Sequence, residues 1–246
     1  MIYLVTFIFG ICIGSFLNVC IYRIPKKENI TTTRSHCFSC GNVIKWYDLI
    51  PVISYLFLGG KCRKCKAKLS VQYPVIELLN GLLYCLVYAV LGFEVRTVLM
   101  CALTSVLIVI AVIDWRTYEI PFGLNVFIAV LGVFNLVYHY TDWVNYLAGA
   151  LSVSGFLLIV YLVTKGRGIG GGDIKLMAAA GLFLGYKNIV LAFVIGCVLG
   201  SVIHLLRMKV SKAEHVLAFG PYLAAGIFIA GLWGEKILKV YLSLYN

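Results

Sequence analysis

Long apolar runs recur along this chain and constrain it more than any single motif does. A helix needs about 20 apolar residues to cross the roughly 30 Å hydrocarbon core of a bilayer. The first run covers residues 1–24 and carries no charge before Arg23. Others cover about 74–92, 97–115, 120–138, 143–164, 188–206 and 216–234, with a shorter one at about 173–186. The first run lacks the basic opening and the small-residue cleavage site of a secretory signal peptide, so it reads as a retained helix. Composition agrees: 62% of the residues are hydrophobic and 13% charged, too few polar groups to cover a soluble surface. The expected fold is an all-α polytopic integral membrane protein with about eight transmembrane helices. The run at 173–186 is short for a span and reads as tilted or partly re-entrant. Glycines four apart (Gly10/Gly14, Gly181/Gly185, Gly196/Gly200) read as close helix contacts. No internal repeat or low-complexity segment is visible.

The charge balance is basic, with 21 Lys+Arg against 10 Asp+Glu. Eight spans send the loops 23–73, 115–119, 165–175 and 207–215 to one side. Those loops hold seventeen of the basic residues, from Arg23 to Lys212, against four on the other side (Arg96, Lys187, Lys236, Lys239). Such a bias places the first set in the cytoplasm and both termini outside. The excess therefore reads first as topology and as contact with anionic lipid headgroups. A nucleic-acid partner is not expected, because the basic insert lacks a recognition helix or an aromatic platform.

Nine cysteines fall into two groups. Cys12, Cys20, Cys85, Cys101 and Cys197 lie in apolar runs and read as small buried hydrophobes. The others form Cys37-x-x-Cys40 and Cys62-x-x-Cys65. Each pair puts two thiolates on one tight turn, and two facing turns complete a tetrahedral site suited to zinc. A cytoplasmic location argues against disulfides. No open coordination position is offered, and His36 beside the site is left out of it. The zinc reads as structural, holding an insert too small to fold on its own core.

An ionisable group in a membrane span is a functional candidate, and three acids qualify. Glu77 sits near the start of the second span, Asp114 at the end of the third, and Asp173 in Gly170-Gly-Gly172-Asp173 at the start of the sixth. By the topology count Asp114 and Asp173 share the cytoplasmic face. Two carboxyls at one depth can converge on one water, as aspartic proteolysis requires. Gly170 and Gly172 are expected to permit an irregular backbone near Asp173. Asp173 also suits a helix N-cap; its pairing with Asp114 is what favours catalysis.

Several stretches, in order, resemble the type IV prepilin peptidases (leader peptidase/N-methyltransferases). Gly14-Ser-Phe-Leu-Asn-Val19 with Arg23-Ile-Pro25 resembles the family's first-helix signature. Ser35 to Cys40 and Gly60 to Cys65 resemble its zinc-type insert, and Gln72 to Glu77 its second-helix entry. Asp114 and Gly170-Gly-Gly172-Asp173 resemble its catalytic aspartates, and Phe219-Gly-Pro221 its last-helix signature. The resemblance implies a Gly-x-Gly-Asp intramembrane aspartic endopeptidase that removes leaders from type IV prepilins and pseudopilins at the cytoplasmic membrane face. It also implies N-methylation of the new terminus from S-adenosylmethionine. The expected division is a first helix over 1–24, a zinc insert over 25–73 and a catalytic membrane core over 74–246. Gly170, Gly172 and Lys175 stand as supports of the catalytic pair, and Gly60, Lys61 and Glu77 as methyl-transfer candidates. Two other readings stay open: a peptidase without methyl transfer, and a proton-coupled transporter using the intramembrane carboxyls. Against the transporter, the two halves show no matching repeat.

Overall fold

The computed structural model describes residues 1–211 and 217–244. Lys212 of the basic tally and Val216, where the last run was expected to begin, lie outside the described residues. The helices among the described residues are α1 (Ile2–Arg23), a short α2 (Ile53–Phe57), α3 (Gln72–Leu91), α4 (Val95–Thr117), α5 (Phe122–Tyr138), α6 (Trp143–Val163), α7 (Gly171–Leu184), α8 (Tyr186–Ser211) and α9 (Gly220–Ser243). Only isolated bridges, and no strands, occur among the described residues. Among the described residues five helices are long and apolar enough to cross a membrane: α1, α3, α4, α6 with the turn before it, and α8. The chain is thus a multi-pass membrane protein. Helix α5 has 17 residues and α7 has 14. At 1.5 Å per residue α7 reaches only about 21 Å. It is bounded by Gly170 and by Gly185, whose φ of +79° ends the helix. Helix α9 continues through Glu235, Lys236 and Lys239 to Ser243, past the end of the last apolar run.

Two compact units divide the chain, Met1–Thr97 and Val98–Asn246. The first unit holds α1, the insert and α3.

In the first unit α1 and α3 run antiparallel, because contacts advance along one as they retreat along the other. A Cβ on Gly10 would lie 2.7 Å from the Gly81 Cα, and one on Gly14 would lie 2.7 Å from the Glu77 Cα. The two backbones therefore touch through absent side chains. Polar bonds fix the register. Asn80 Nδ2 donates to the Gly10 carbonyl at 2.7 Å, and Asn18 Nδ2 to the Tyr73 carbonyl at 3.1 Å.

The second unit repeats the device. Gly149 of α6 faces Gly181 of α7 backbone to backbone, and Gly226 of α9 faces Ala192 of α8. Asn135 of α5 donates to the Phe183 carbonyl of α7 at 2.9 Å. Helix α4 meets α9 at both ends, Met100 near Gly231 and Asp114 at Gly220. The glycines singled out in the sequence do lie at helix contacts.

Gly14→Val tests this packing. It forces a branched side chain into the α3 backbone, and overpacking of this kind costs about 1–3 kcal/mol. A lower melting temperature of the detergent-solubilised protein is expected.

Candidate active site and metal centre

Two matching turns build the metal centre. The Cys37 N–H donates to the Asn42 carbonyl at 2.9 Å, and the Gly41 N–H to the Cys37 carbonyl at 2.8 Å. In the second turn the Cys62 N–H donates to the Ala67 carbonyl at 2.8 Å, and the Lys66 N–H to the Cys62 carbonyl at 3.0 Å. The residue after each second cysteine is left-handed: Gly41 at φ +66° and Lys66 at φ +59°. The insert thus carries a local geometric repeat that unrelated side chains hide in the sequence. The four sulfurs of Cys37, Cys40, Cys62 and Cys65 all lie within 4.8 Å of one another. Cys37 Sγ and Cys65 Sγ are 3.8 Å apart. A tetrahedron with zinc–sulfur bonds of about 2.3 Å has edges of about 3.8 Å. The thiolate set therefore fits a structural zinc ion. Backbone N–H groups of Cys40 and Ser39 aimed at the Cys37 sulfur pull its thiol down to about 6, favouring the ligating thiolate.

Asp48 and Arg63 brace the centre. Arg63 Nε donates to Asp48 Oδ2 at 2.9 Å and its Nη2 to Oδ1 at 2.6 Å, a bidentate ion pair. The guanidinium holds the Asp48 carboxyl below the usual carboxylate range. Arg23 at the end of α1 is buried and ties down the following loop. Its NH1 donates to the carbonyls of Asn29 at 3.1 Å and Thr33 at 2.8 Å.

Glu77 is 6% exposed on α3. Its Oε2 accepts the Val52 N–H at 2.7 Å, and the Ser15 hydroxyl also bonds to it. Val52 holds φ +59° and ψ −53°, a conformation that a β-branched residue strongly avoids, at a cost on the order of 1–3 kcal/mol. Gly60 also has positive φ, and a Cβ there would lie 2.9 Å from the Tyr55 hydroxyl oxygen. Gly60 therefore leaves room for the Tyr55 ring. Lys61 pairs with Lys68 in a backbone bridge of the second turn.

In the second unit Asp114 comes from the last turns of α4 and Asp173 from the first turn of α7. Both are buried, at 5% and 9% exposure. They are close enough for the Asp114 charge to act on Asp173. Each is served by backbone: the Gly220 N–H donates to Asp114 Oδ2 at 2.8 Å, and the Gly170 N–H serves Asp173. Gly170 is extended and caps α7, as expected of an irregular segment. Gly172 is not irregular; it lies inside α7. What it needs is space, since a Cβ would lie 3.0 Å from the Ile120 Cβ. That contact seats the α4–α5 turn against the start of α7. Lys175 does not ion-pair with Asp173; its ammonium sits 5.3 Å over the Phe122 ring.

Family descriptions match both halves of the chain. Residues 8–91 match the bacterial peptidase A24 N-terminal domain, and residues 101–205 match the type IV leader peptidase family. A prepilin leader peptidase/N-methyltransferase of Bacillus subtilis is 33% identical over 244 residues, covering 98% of each chain. The chain belongs to the type IV leader peptidase family. A prepilin leader peptidase/N-methyltransferase of Pseudomonas aeruginosa is 32% identical, over 98% of this chain and 93% of its own. One of Neisseria gonorrhoeae is 34% identical, over 90% and 87%. No solved structure matches.

The four metal-centre cysteines and Glu77 of this leader peptidase relative fall in the first match, and Asp114 and Asp173 in the second. Gly220 follows both. Its motif was visible in the sequence, but its contact with Asp114 was not, because the two positions are 106 residues apart. Val52 carried no sequence signal at all.

Two measurements test these sites. Protein purified under reducing conditions is expected to hold about one zinc per chain by elemental analysis. A Cys37→Ser, Cys62→Ser double variant is expected to lose it. Gly220→Ala places a Cβ 2.7 Å from Asp114 Oδ2, so the carboxyl must move. Cleavage of a prepilin should fall by about tenfold or more while the zinc content stays the same.

Proposed function

We propose that the chain is a membrane aspartic endopeptidase that removes the leader of type IV prepilins or pseudopilins, then N-methylates the new terminus. The carrying observation is the pair Asp114 and Asp173. Two carboxyls from helices far apart in sequence are buried together within the residues that match the leader peptidase family. Relatives over nearly the full chain are named for both activities.

In the proposed cleavage one carboxylate of the pair takes a proton from water. The hydroxide oxygen adds to the scissile carbonyl carbon, and the other carboxyl protonates the carbonyl oxygen. Collapse of the adduct breaks the C–N bond. The amine leaves with a proton returned from the first carboxyl, and the second carboxyl recovers its own. The N–H groups of Gly220 and Gly170 orient the two acids throughout. In the second activity S-adenosylmethionine supplies a methyl group to the uncharged amine, which sheds a proton.

The chain is read as crossing the bacterial inner membrane eight times, with the zinc insert and both aspartates at the cytoplasmic face. The seventeen-to-four distribution of basic residues supports that orientation. A reducing compartment suits the four thiolates.

Co-expression of a pilin-like precursor with wild type, Asp114→Asn and Asp173→Asn tests the assignment. Both variants should lower processing by about 100-fold or more, seen as accumulated precursor on a gel. Processing by both variants at the wild-type level would sink the dyad.

A further inference from the structure

A helix that packs on a water-soluble insert turns its apolar face inward. Helix α2 (Ile53–Phe57) does the reverse. Its inward residue is the polar Ser54, buried and donating its hydroxyl to the Tyr47 carbonyl at 2.8 Å. Ile53, Leu56 and Phe57, spaced to share one face, turn outward, with Leu56 70% and Phe57 87% exposed. The Ser54 bond ties α2 to the 46–49 turn. That turn and the residue after it add Trp46, 78% exposed, Leu49 and Ile50 to the exposed apolar groups. So many large apolar groups in one short segment mark a surface made for a partner.

Two observations identify that partner. The first is depth. Helices α1 and α3 are spans, so the insert is held to the bilayer at both ends. Helix α3 has 20 residues, about 30 Å of helix, which just matches the hydrocarbon core. Glu77 lies five residues in from Gln72, about 8 Å along the helix. Its carboxylate accepts the N–H of Val52, the residue before α2, at 2.7 Å. That bond pins the start of α2 to the level of the bilayer edge, and Val52 takes its unfavourable positive φ in making it. The second observation is charge. Between residues 29 and 76 the chain holds seven Lys and Arg, all exposed, and a single acid, Asp48. Asp48 is engaged in its ion pair with Arg63. The insert therefore offers apolar groups and cations with no free acid among them.

We propose that α2 and the 46–49 turn dock onto the anionic surface of the bilayer. Trp46, Ile53, Leu56 and Phe57 enter the boundary between headgroups and acyl chains, and Lys45, Lys61 and Lys64 reach the headgroup phosphates. A surface helix sinks its apolar face about 5–10 Å into that boundary. Trp favours the same layer, and Lys stems cross it to keep their charge at the phosphates. A second copy of this chain fits the surface poorly, because it would set the same cations against these. The docking depends on the two spans of the first unit and on neither of the proposed activities. It gives the insert a third attachment to the membrane, beyond its two ends.

The test follows Trp46 in the full-length, zinc-loaded protein, held one chain per lipid disc of phosphatidylcholine and phosphatidylglycerol. The emission of wild type minus that of Trp46→Phe separates Trp46 from the other three tryptophans. Bromine atoms on the acyl chains should quench this signal by about twofold or more, while acrylamide in the water should quench it far less than it quenches free indole. The double variant Leu56→Glu, Phe57→Glu should lose the bromolipid quenching, gain acrylamide quenching and keep its zinc. A Trp46 open to acrylamide and blind to bromolipid would leave the face in water and overturn the proposal. A Trp46 shielded from both quenchers would be covered by protein, which overturns it equally. Bromolipid quenching that persists in the double variant would overturn the role of the outward face of α2. If the double variant loses its zinc, the two quenchers on wild type and Trp46→Phe decide alone.

Discussion

A carboxyl group buried in a membrane protein has little water to lean on, so its partners must come from nearby backbone and side-chain donors, and backbone comes closest where a side chain is missing. Among the described residues each buried acid sits opposite a glycine. Glu77 packs its Cα against Gly14, Asp114 sets Oδ2 against Gly220, and Asp173 sets Oδ2 beside Gly170. At the two aspartates the glycine also supplies the N–H that holds the acid. The same absence of Cβ atoms lets α1 meet α3, α6 meet α7, and α8 meet α9. At these positions helix packing and site construction are therefore one device.

This explains which parts of the molecule were legible in sequence. The apolar runs announced their helices because bilayer thickness sets a length that few other structures share. The acids stood out because there are only ten. The zinc turns declared themselves through Cys-x-x-Cys spacing, which is local. The contacts that tune each acid are not local. Gly220 reaches Asp114 across 106 positions, and Val52 reaches Glu77 across 25 through a backbone conformation that no propensity for valine suggests. Gly172 shows the same limit from the other side. Its residue type was noticed, but the reason for it is the Ile120 side chain of another element. The end of α9 was hidden because Glu235, Lys236 and Lys239 break the apolar run without breaking the helix.

The insert solves a different problem. It lies between α1 and α3, and many of its large apolar groups are exposed, among them Trp46, Leu56 and Phe57. Burial is too sparse to hold it, so it depends on a metal-sized cluster of thiolates and on polar ties. Those ties run to its surroundings: Arg23 fixes the loop that leaves α1, Asp48–Arg63 joins the 46–49 turn to the second cysteine turn, and Glu77 holds Val52. Removing the metal would therefore loosen the turns that bind it and the ties that run through them.

The groups singled out divide between the two units: both aspartates, with Gly170 and Gly220, belong to the second, and the thiolates and Glu77 belong to the first. The chemistry imposes an order on the two proposed reactions. A peptide nitrogen is a poor nucleophile because its lone pair is delocalised into the carbonyl. The nitrogen of the mature terminus becomes available for methylation only once the C–N bond has been broken. Cleavage must therefore come first. Damage to the aspartate pair would leave neither product, since an uncut precursor offers no amine at the position to be methylated. Methylation thus depends on cleavage by chemistry alone.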